Sequence, residues 1–376
     1  MNRIAFANGN VVTADAVLPG ATLDLSADRV SAIAATASTD AIDLAGGWLM
    51  PGFIDTQLNG GGGVLFNNAI DVIAIAAIGK AHAAYGTTAF LPTLISETPD
   101  RIAAALDAVD AAIADGVPGG VGVHIEGPFL NPDRKGIHDA GRFRTLDTEM
   151  LALFTRPRRG KVMLTIAPEL TDRATIAALV AAGVIVSAGH SEASYDIARA
   201  AFDAGLSGIT HLFNAMPSMH QREPGLVGAA LDDPRPWCGL IVDTVHVAPS
   251  VLRIALRARG TDRMMLVTDA MSSVGVSDKD FILQGRQIRV ADGICRFTDG
   301  TLAGSDLDMA RAVAITVAEL DVDAATASRM ASANPAAFLG LAHERGTIAV
   351  GKRADFVQLD TEFRPVATWI GGRQVA

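Results

Sequence analysis

Cysteine, aromatic side chains, net positive charge and unbroken apolar runs are all scarce in this chain, and each scarcity narrows what it is. Only two cysteines, Cys238 and Cys295, occur in 376 residues, far apart in sequence. With no secretory pattern in residues 1–10, they read as free thiols in a reducing, cytoplasmic compartment. The formal net charge of -10 argues against a general nucleic-acid or anionic-membrane surface, though a few local cations can still hold a small anionic ligand. The longest uncharged run, Ala174 to Gly189, is broken at Gly183 and reads as helix, turn and strand rather than a membrane span. Aromatics make up 5% against 49% hydrophobic residues, with Gly and Ala abundant. That balance suits short buried strands alternating with Ala-rich helices, in a chain long enough for one large domain and a smaller one.

Strand-like and helix-like segments do alternate from about residue 50 to 340. The expected strands are Phe53–Leu58, Thr88–Leu94, Gly122–Glu126, Val162–Ala167, Val184–Ala188, Gly208–Leu212, Cys238–Thr244 and Met264–Thr268. Helical patterns such as Asp71–Tyr85, Asp100–Ala114, Arg173–Ala182, Ser194–Ala204 and Pro249–Arg259 lie between them. Eight such units in series predict an α/β fold, a parallel (β/α)8 barrel of the TIM type, over residues 51–340. Residues 1–50 and 341–376 read as short strands and turns that cannot bury a core separately. They are expected to pair as one small β-sandwich domain built from both chain ends.

In such a barrel the chemistry gathers at the C-terminal ends of the strands. Glu126, His190 and His211 each stand where a buried apolar run stops, on expected strands three, five and six. One carboxylate and two imidazoles form the three-ligand set that leaves an open position on a catalytic ion. Zinc is the default; Fe2+, Co2+ and Mn2+ use the same ligands. Taken singly, each histidine is better read as a hydrogen-bonded core or loop residue, and His82 and His343 keep that reading. His246 and Asp269 fall at the ends of strands seven and eight, and Asp269 is also placed to be a helix cap. Asn214-Ala215 offers turn amides to a phosphate and Arg222 a guanidinium, although Arg222 alone reads as a solvated charge. The run Gly60–Gly63 lacks the Lys-Ser/Thr of a nucleotide loop and is taken as a turn after strand one.

Longer motifs carry a resemblance. Pro51-Gly-Phe-Ile-Asp-Thr-Gln-Leu-Asn-Gly60 and the closing Gly351-Lys-Arg-Ala-Asp-Phe356 resemble the amidohydrolase superfamily. The stretches His124-Ile-Glu-Gly-Pro-Phe129, Ser187-Ala-Gly-His-Ser191, Thr210-His-Leu-Phe-Asn-Ala-Met-Pro217, Arg222-Glu-Pro-Gly225, Asp243-Thr-Val-His246 and Leu266-Val-Thr-Asp-Ala270 are similar, within it, to the amino-sugar-phosphate deacetylases. The resemblance implies a metal-dependent hydrolase that cleaves the acetamide of N-acetyl-D-glucosamine 6-phosphate. It also implies that Glu126, His190 and His211 bind the metal and that Asp269 is the catalytic acid/base.

By the same resemblance His138 and His246 line the substrate site, with His138 favoured for polarising the carbonyl. Leu302, Ala303 and Gly304 border the sugar, an N-cap at Ser305 or Asp306 being the competing account of that segment. Arg222 resembles a phosphate-binding arginine that reaches into a neighbouring subunit, which implies a homodimer. Many amidohydrolases carry His-x-His on the first strand and hold two metals; this chain has Gln57-Leu-Asn59, which implies one metal per subunit. The galactosamine epimer, another amide, and a non-catalytic binding protein of the same fold are the alternatives.

Overall fold

Eight short strands, almost wholly buried, pair in parallel in chain order: Phe53–Leu58, Thr87–Ile95, Gly122–Glu126, Lys161–Ile166, Ile185–Ala188, Gly208–Ile209, Trp237–Ile241 and Met264–Val267. Parallel neighbours need crossovers, and helices outside with a filled barrel interior bury both faces, which explains why these strands read as continuous apolar runs rather than alternating ones. Asp71, Asp147, Asp172, Ser194 and Asp308 begin helices by accepting a bond from a backbone N–H in the first turn. The computed structural model describes residues 3–34 and 41–376; the parts of the small-domain expectation that fall on residues 1–2 and 35–40 lie outside the described residues.

The last strand returns to the first. Asp269 N–H donates to the Gln57 carbonyl at 3.0 Å, Asn59 N–H donates to the Ala270 carbonyl at 2.9 Å, and Leu58 bridges Ala270. The seam of the barrel therefore runs through Gln57, Asn59 and Asp269.

Two strands stop three residues earlier than expected. The sixth ends at Ile209 rather than Leu212, and the seventh at Ile241 rather than Thr244. His211 has φ 35° and Thr244 φ 69°, in the left-handed region, so neither residue belongs to an extended strand. His190 and Asp269 follow their strands with φ 50° and 52°. After strand one, Gly60–Gly61 pairs with Val64–Leu65 as a tight hairpin, its turn made by Gly62 and Gly63 at φ 62° and 82°.

Two further sheets flank the barrel. Arg3–Val12, Val17–Ser26, Arg29–Ala34, Ala41–Asp43 and Trp48–Pro51 join Phe356–Leu359, Pro365–Ile370 and Arg373–Gln374 in one hydrogen-bonded sheet. Phe6, Leu23, Leu25, Leu49, Phe356 and Trp369 are buried at its core, with Phe6 edge-on to Trp369 at 5.6 Å. A four-stranded antiparallel insert over 281–305 delivers Leu302–Ser305 to the barrel mouth, where Ser305 bridges Ala270. Among the described residues no helix is long and apolar enough to cross a membrane.

Packing between strands three and four leaves no room for a side chain at Gly122. A Cβ there would lie 2.1 Å from the Lys161 carbonyl oxygen. Gly122→Ala should destabilise the protein by about 1–3 kcal/mol, read as a lower midpoint of urea unfolding.

Candidate active site

Glu126 is the last residue of the third barrel strand, and its carboxylate rises into the mouth. Its Oε1 lies 3.0 Å from His211 Nε2 and 3.3 Å from His190 Nε2, and those two nitrogens are 3.0 Å apart. All three side chains are buried. Both histidines hold left-handed backbone angles, a cost of order 1–3 kcal/mol each that the surrounding structure must offset.

The donor set fits a divalent cation. Four ligands at about 2.1 Å around zinc stand about 3.4 Å apart, close to the spacing of these three atoms. His190 Nδ1 lies 2.8 Å from the Arg134 carbonyl oxygen. A carbonyl only accepts, so Nδ1 carries a proton and Nε2 is the nitrogen that a cation would take. Burial alone raises the Glu126 carboxyl, but hydrogen bonds from His190 and His211, and then the His211 charge, outweigh it and hold the group well below its usual value. Glu126, His138 and His190 also form a buried group with ligand atoms within 4.8 Å of one another.

Across the mouth, Asp269 is gripped from strand one. Gln57 Nε2 donates to Asp269 Oδ1 and to Glu126 Oε1, both at 3.1 Å, and Asn59 Nδ2 donates to Asp269 Oδ1 at 2.6 Å. Gln57 and Asn59 thus point into the site as amide donors. Burial, and then the Glu126 charge, push the Asp269 carboxyl up to about 6. No helix begins at Asp269, so the cap reading does not describe it. Beneath lies Asp55, fully buried and accepting from the Thr268 hydroxyl and from the Gln57 and Thr268 amides.

A cavity of about 380 Å3 opens above these groups, and His138, His246, Asn214, Ala215, Leu302 and Gly304 are among its walls. His246 Nδ1 is 2.6 Å from Asp243 Oδ2. His138 is buried, its Nε2 4.0 Å from Glu126 Oε2; burial and then the His190 ring hold it well below the ordinary histidine value, so the ring is neutral. Ala303 differs from its neighbours: alternation along the strand turns its methyl into the apolar underside of the insert. Arg222 is exposed, does not line this cavity, and pairs with no carboxylate among the described residues. His82 is a core histidine whose Nε2–H donates to the Gly60 carbonyl at 2.9 Å.

Several supporting groups were not singled out from sequence. His124 bridges Thr93 and Thr165 in a layer of hydroxyls under the site, and Ser96 meets His138. Glu97, buried, pairs with Arg142 of the loop that carries His138. His124 had a usable signal, since it shares a strand face with Glu126. Ser96 and Glu97 had only their position just past strand two.

Three relatives set this geometry among known proteins. The amidohydrolase family matches residues 48–375. An N-acetylgalactosamine-6-phosphate deacetylase of Shewanella sp. (strain ANA-3) is 42% identical over 88% of this chain and 83% of its own. An N-acetylglucosamine-6-phosphate deacetylase of Haemophilus influenzae is 32% identical over 97% and 93%. Among solved structures, an aspartate-to-alanine mutant of N-acetyl-D-glucosamine-6-phosphate deacetylase from Mycobacterium smegmatis, in complex with N-acetyl-D-glucosamine 6-phosphate, superposes with TM-score 0.92 at 35% identity over 100% of both chains.

The buried Asp55 carries a pH signature. Burial raises its carboxyl from 3.8 to about 7, so the folded chain keeps a proton that the unfolded chain releases. That contribution is complete below the unfolded value and drains away as pH rises toward about 7. Asp55→Asn cannot ionise, so its urea midpoint should fall less than the parent's between about pH 4.5 and 7.5. Parallel pH profiles of the two proteins would refute this.

Proposed function

The chain belongs to the amidohydrolase family, and from that premise we propose that it hydrolyses the acetamide of N-acetyl-D-glucosamine 6-phosphate to D-glucosamine 6-phosphate and acetate. The observation that carries this reading is the pairing, in one cavity, of a Glu-His-His set with Asp269, a carboxyl raised to about 6. Amide hydrolysis needs a group that takes a proton from water and later gives it to the departing nitrogen. A carboxyl poised near neutrality does both at physiological pH.

Glu126, His190 and His211 would hold one divalent cation, proposed as zinc. When bound, the cation lowers the pKa of water toward neutrality and draws electron density from the acetamide oxygen. Gln57 and Asn59 fix Asp269 by its Oδ1, leaving Oδ2 to face the reacting water. Asp269 accepts the water proton as the oxygen adds to the carbonyl carbon. His138 donates a hydrogen bond to the oxygen that gains charge, an effect of a few kcal/mol for a well-placed donor. As the C–N bond breaks, Asp269 returns the proton to nitrogen, which leaves as the amine.

His246, held by Asp243, and the wall at Leu302–Gly304 face the sugar in this reading. Asn214 and Ala215 approach the phosphate at the cavity edge. Arg222 serves the phosphate of a neighbouring copy, which makes the working unit a homodimer. Its exposure, its lack of a carboxylate partner among the described residues and its absence from its own chain's cavity support that role. Both cysteines are buried free thiols, in keeping with a cytoplasmic setting. One second reading has an observation of its own: the 42% identity to an N-acetylgalactosamine-6-phosphate deacetylase favours the galacto epimer.

Acetate release from the two 6-phosphorylated epimers and from unphosphorylated N-acetylglucosamine, with metal measured on the same sample, tests the whole reading. Turnover should appear with the gluco 6-phosphate and about one metal per chain, by the three-ligand count. No acetate from any substrate despite bound metal would remove the deacetylase assignment, and faster galacto turnover would select the second reading. Asp269→Asn should keep its metal and lose at least ~100-fold in kcat. Arg222→Ala should raise KM about 10-fold or more for the phosphorylated sugar alone, the loss expected for a charge-assisted contact. An equal effect on the unphosphorylated sugar would exclude a phosphate role.

A further inference from the structure

His190 and His138 stand edge to face, 4.4 Å between ring centres, and both turn Nε2 toward Glu126. By type and distance either ring could be a ligand. Their outer nitrogens have different partners. His190 Nδ1 meets a carbonyl, which can only accept. His138 Nδ1 meets the Ser96 hydroxyl at 2.7 Å, which can also donate.

Ser96 has one hydroxyl proton and two directions for it. Its Oγ lies 3.4 Å from the Glu126 carbonyl oxygen, a long contact. That carbonyl already accepts the Ser96 backbone N–H at 3.0 Å. The shorter contact to His138 is the better use of the proton, and it leaves the His138 proton on Nε2. Ser96 itself is held: it is fully buried, its carbonyl accepts from Gln284 Nε2 at 2.9 Å, and a Cβ at Gly127 would stand 2.3 Å from its Oγ. Gly127 thus makes room for the hydroxyl and nothing larger.

We propose that Ser96 is a positioning residue that donates to His138 Nδ1, fixing the tautomer whose Nε2–H faces the acetamide oxygen and keeping His138 out of the metal's ligand set. The proposal rests on the reading of His138 as the carbonyl donor. One backbone carbonyl and one hydroxyl then give two adjacent rings opposite polarity. Arg134 makes a ligand of His190, and Ser96 makes a donor of His138.

Side-chain 15N NMR of the zinc-loaded protein, labelled at histidine, tests this directly, with His138 assigned by its loss in His138→Gln. The parent should show a neutral His138 ring protonated at Nε2. Ser96→Ala should move the proton toward Nδ1 and lower kcat about 10-fold while KM stays within about two-fold, with metal content and unfolding midpoint unchanged. A parent ring protonated at Nδ1, or an unchanged tautomer in Ser96→Ala, would overturn the proposal. His138→Gln with parental kcat would instead sink the donor reading itself, and Ser96's part in turnover with it.

Discussion

A buried carboxylate stays ionised only where other groups supply what water would have supplied, and Glu126 is held under that constraint. Its strand is covered on both faces, so the charge cannot reach solvent. Two imidazoles from strands five and six and an amide from strand one converge on its Oε1 instead. Each partner is fixed by the barrel: none is adjacent to Glu126 in sequence, and only closure of the sheet brings strand one beside strand eight. The left-handed angles at His190, His211 and Asp269 follow from the same demand. The chain must leave the sheet abruptly for a side chain to turn over the mouth instead of along it.

The fold was legible because parallel strands buried on both faces leave near-continuous apolar runs, as at Leu240-Ile241 or Leu266-Val267, and Ala-rich amphipathic stretches lie between them. The residues that border the mouth were legible for the same reason, since a His or Glu that interrupts such a run is conspicuous, even though the sixth and seventh strands stop three residues short of the expected ends. What could not be read was anything depending on the backbone as a partner. The Arg134 carbonyl that orients His190 has no residue-type signature, since any residue offers one. Ser96 is an ordinary small residue after a strand until His138 is seen against it. Ala303 shows the converse limit. A contiguous motif, Leu302-Ala-Gly304, invites one role for three residues, while strand alternation assigns the middle one to the apolar underside.

Asp269 and Asp55 show how one strand pair separates two acids. Both are buried near the seam and both are raised, yet their surroundings differ. Asp55 is enclosed by Thr268 and two backbone amides and faces no cavity, so its proton is a matter of stability. Asp269 borders the cavity, and its Oδ1 is taken up by two side-chain amides. Proton exchange with anything in the mouth is open to Asp269 alone. The sequence spacing Asp55-x-Gln57-x-Asn59 is the strand repeat that stacks these groups on one face, with the stability residue deepest.

The amides at Gln57 and Asn59 also bear on why the proposed proton acceptor is poised where it is. Gln57 bridges Glu126 and Asp269 as a neutral donor. A cation in that position would stabilise the ionised form of both carboxylates and pull Asp269 down, away from the range in which it both takes and returns a proton. A neutral amide binds the same oxygens without that penalty, so burial and the Glu126 charge keep the upper hand at Asp269. Replacing imidazoles by amides on the first strand therefore does more than delete ligands. In the proposed mechanism it leaves the cation-binding task to Glu126, His190 and His211 and the proton task to Asp269, with Gln57 bonded to both sides.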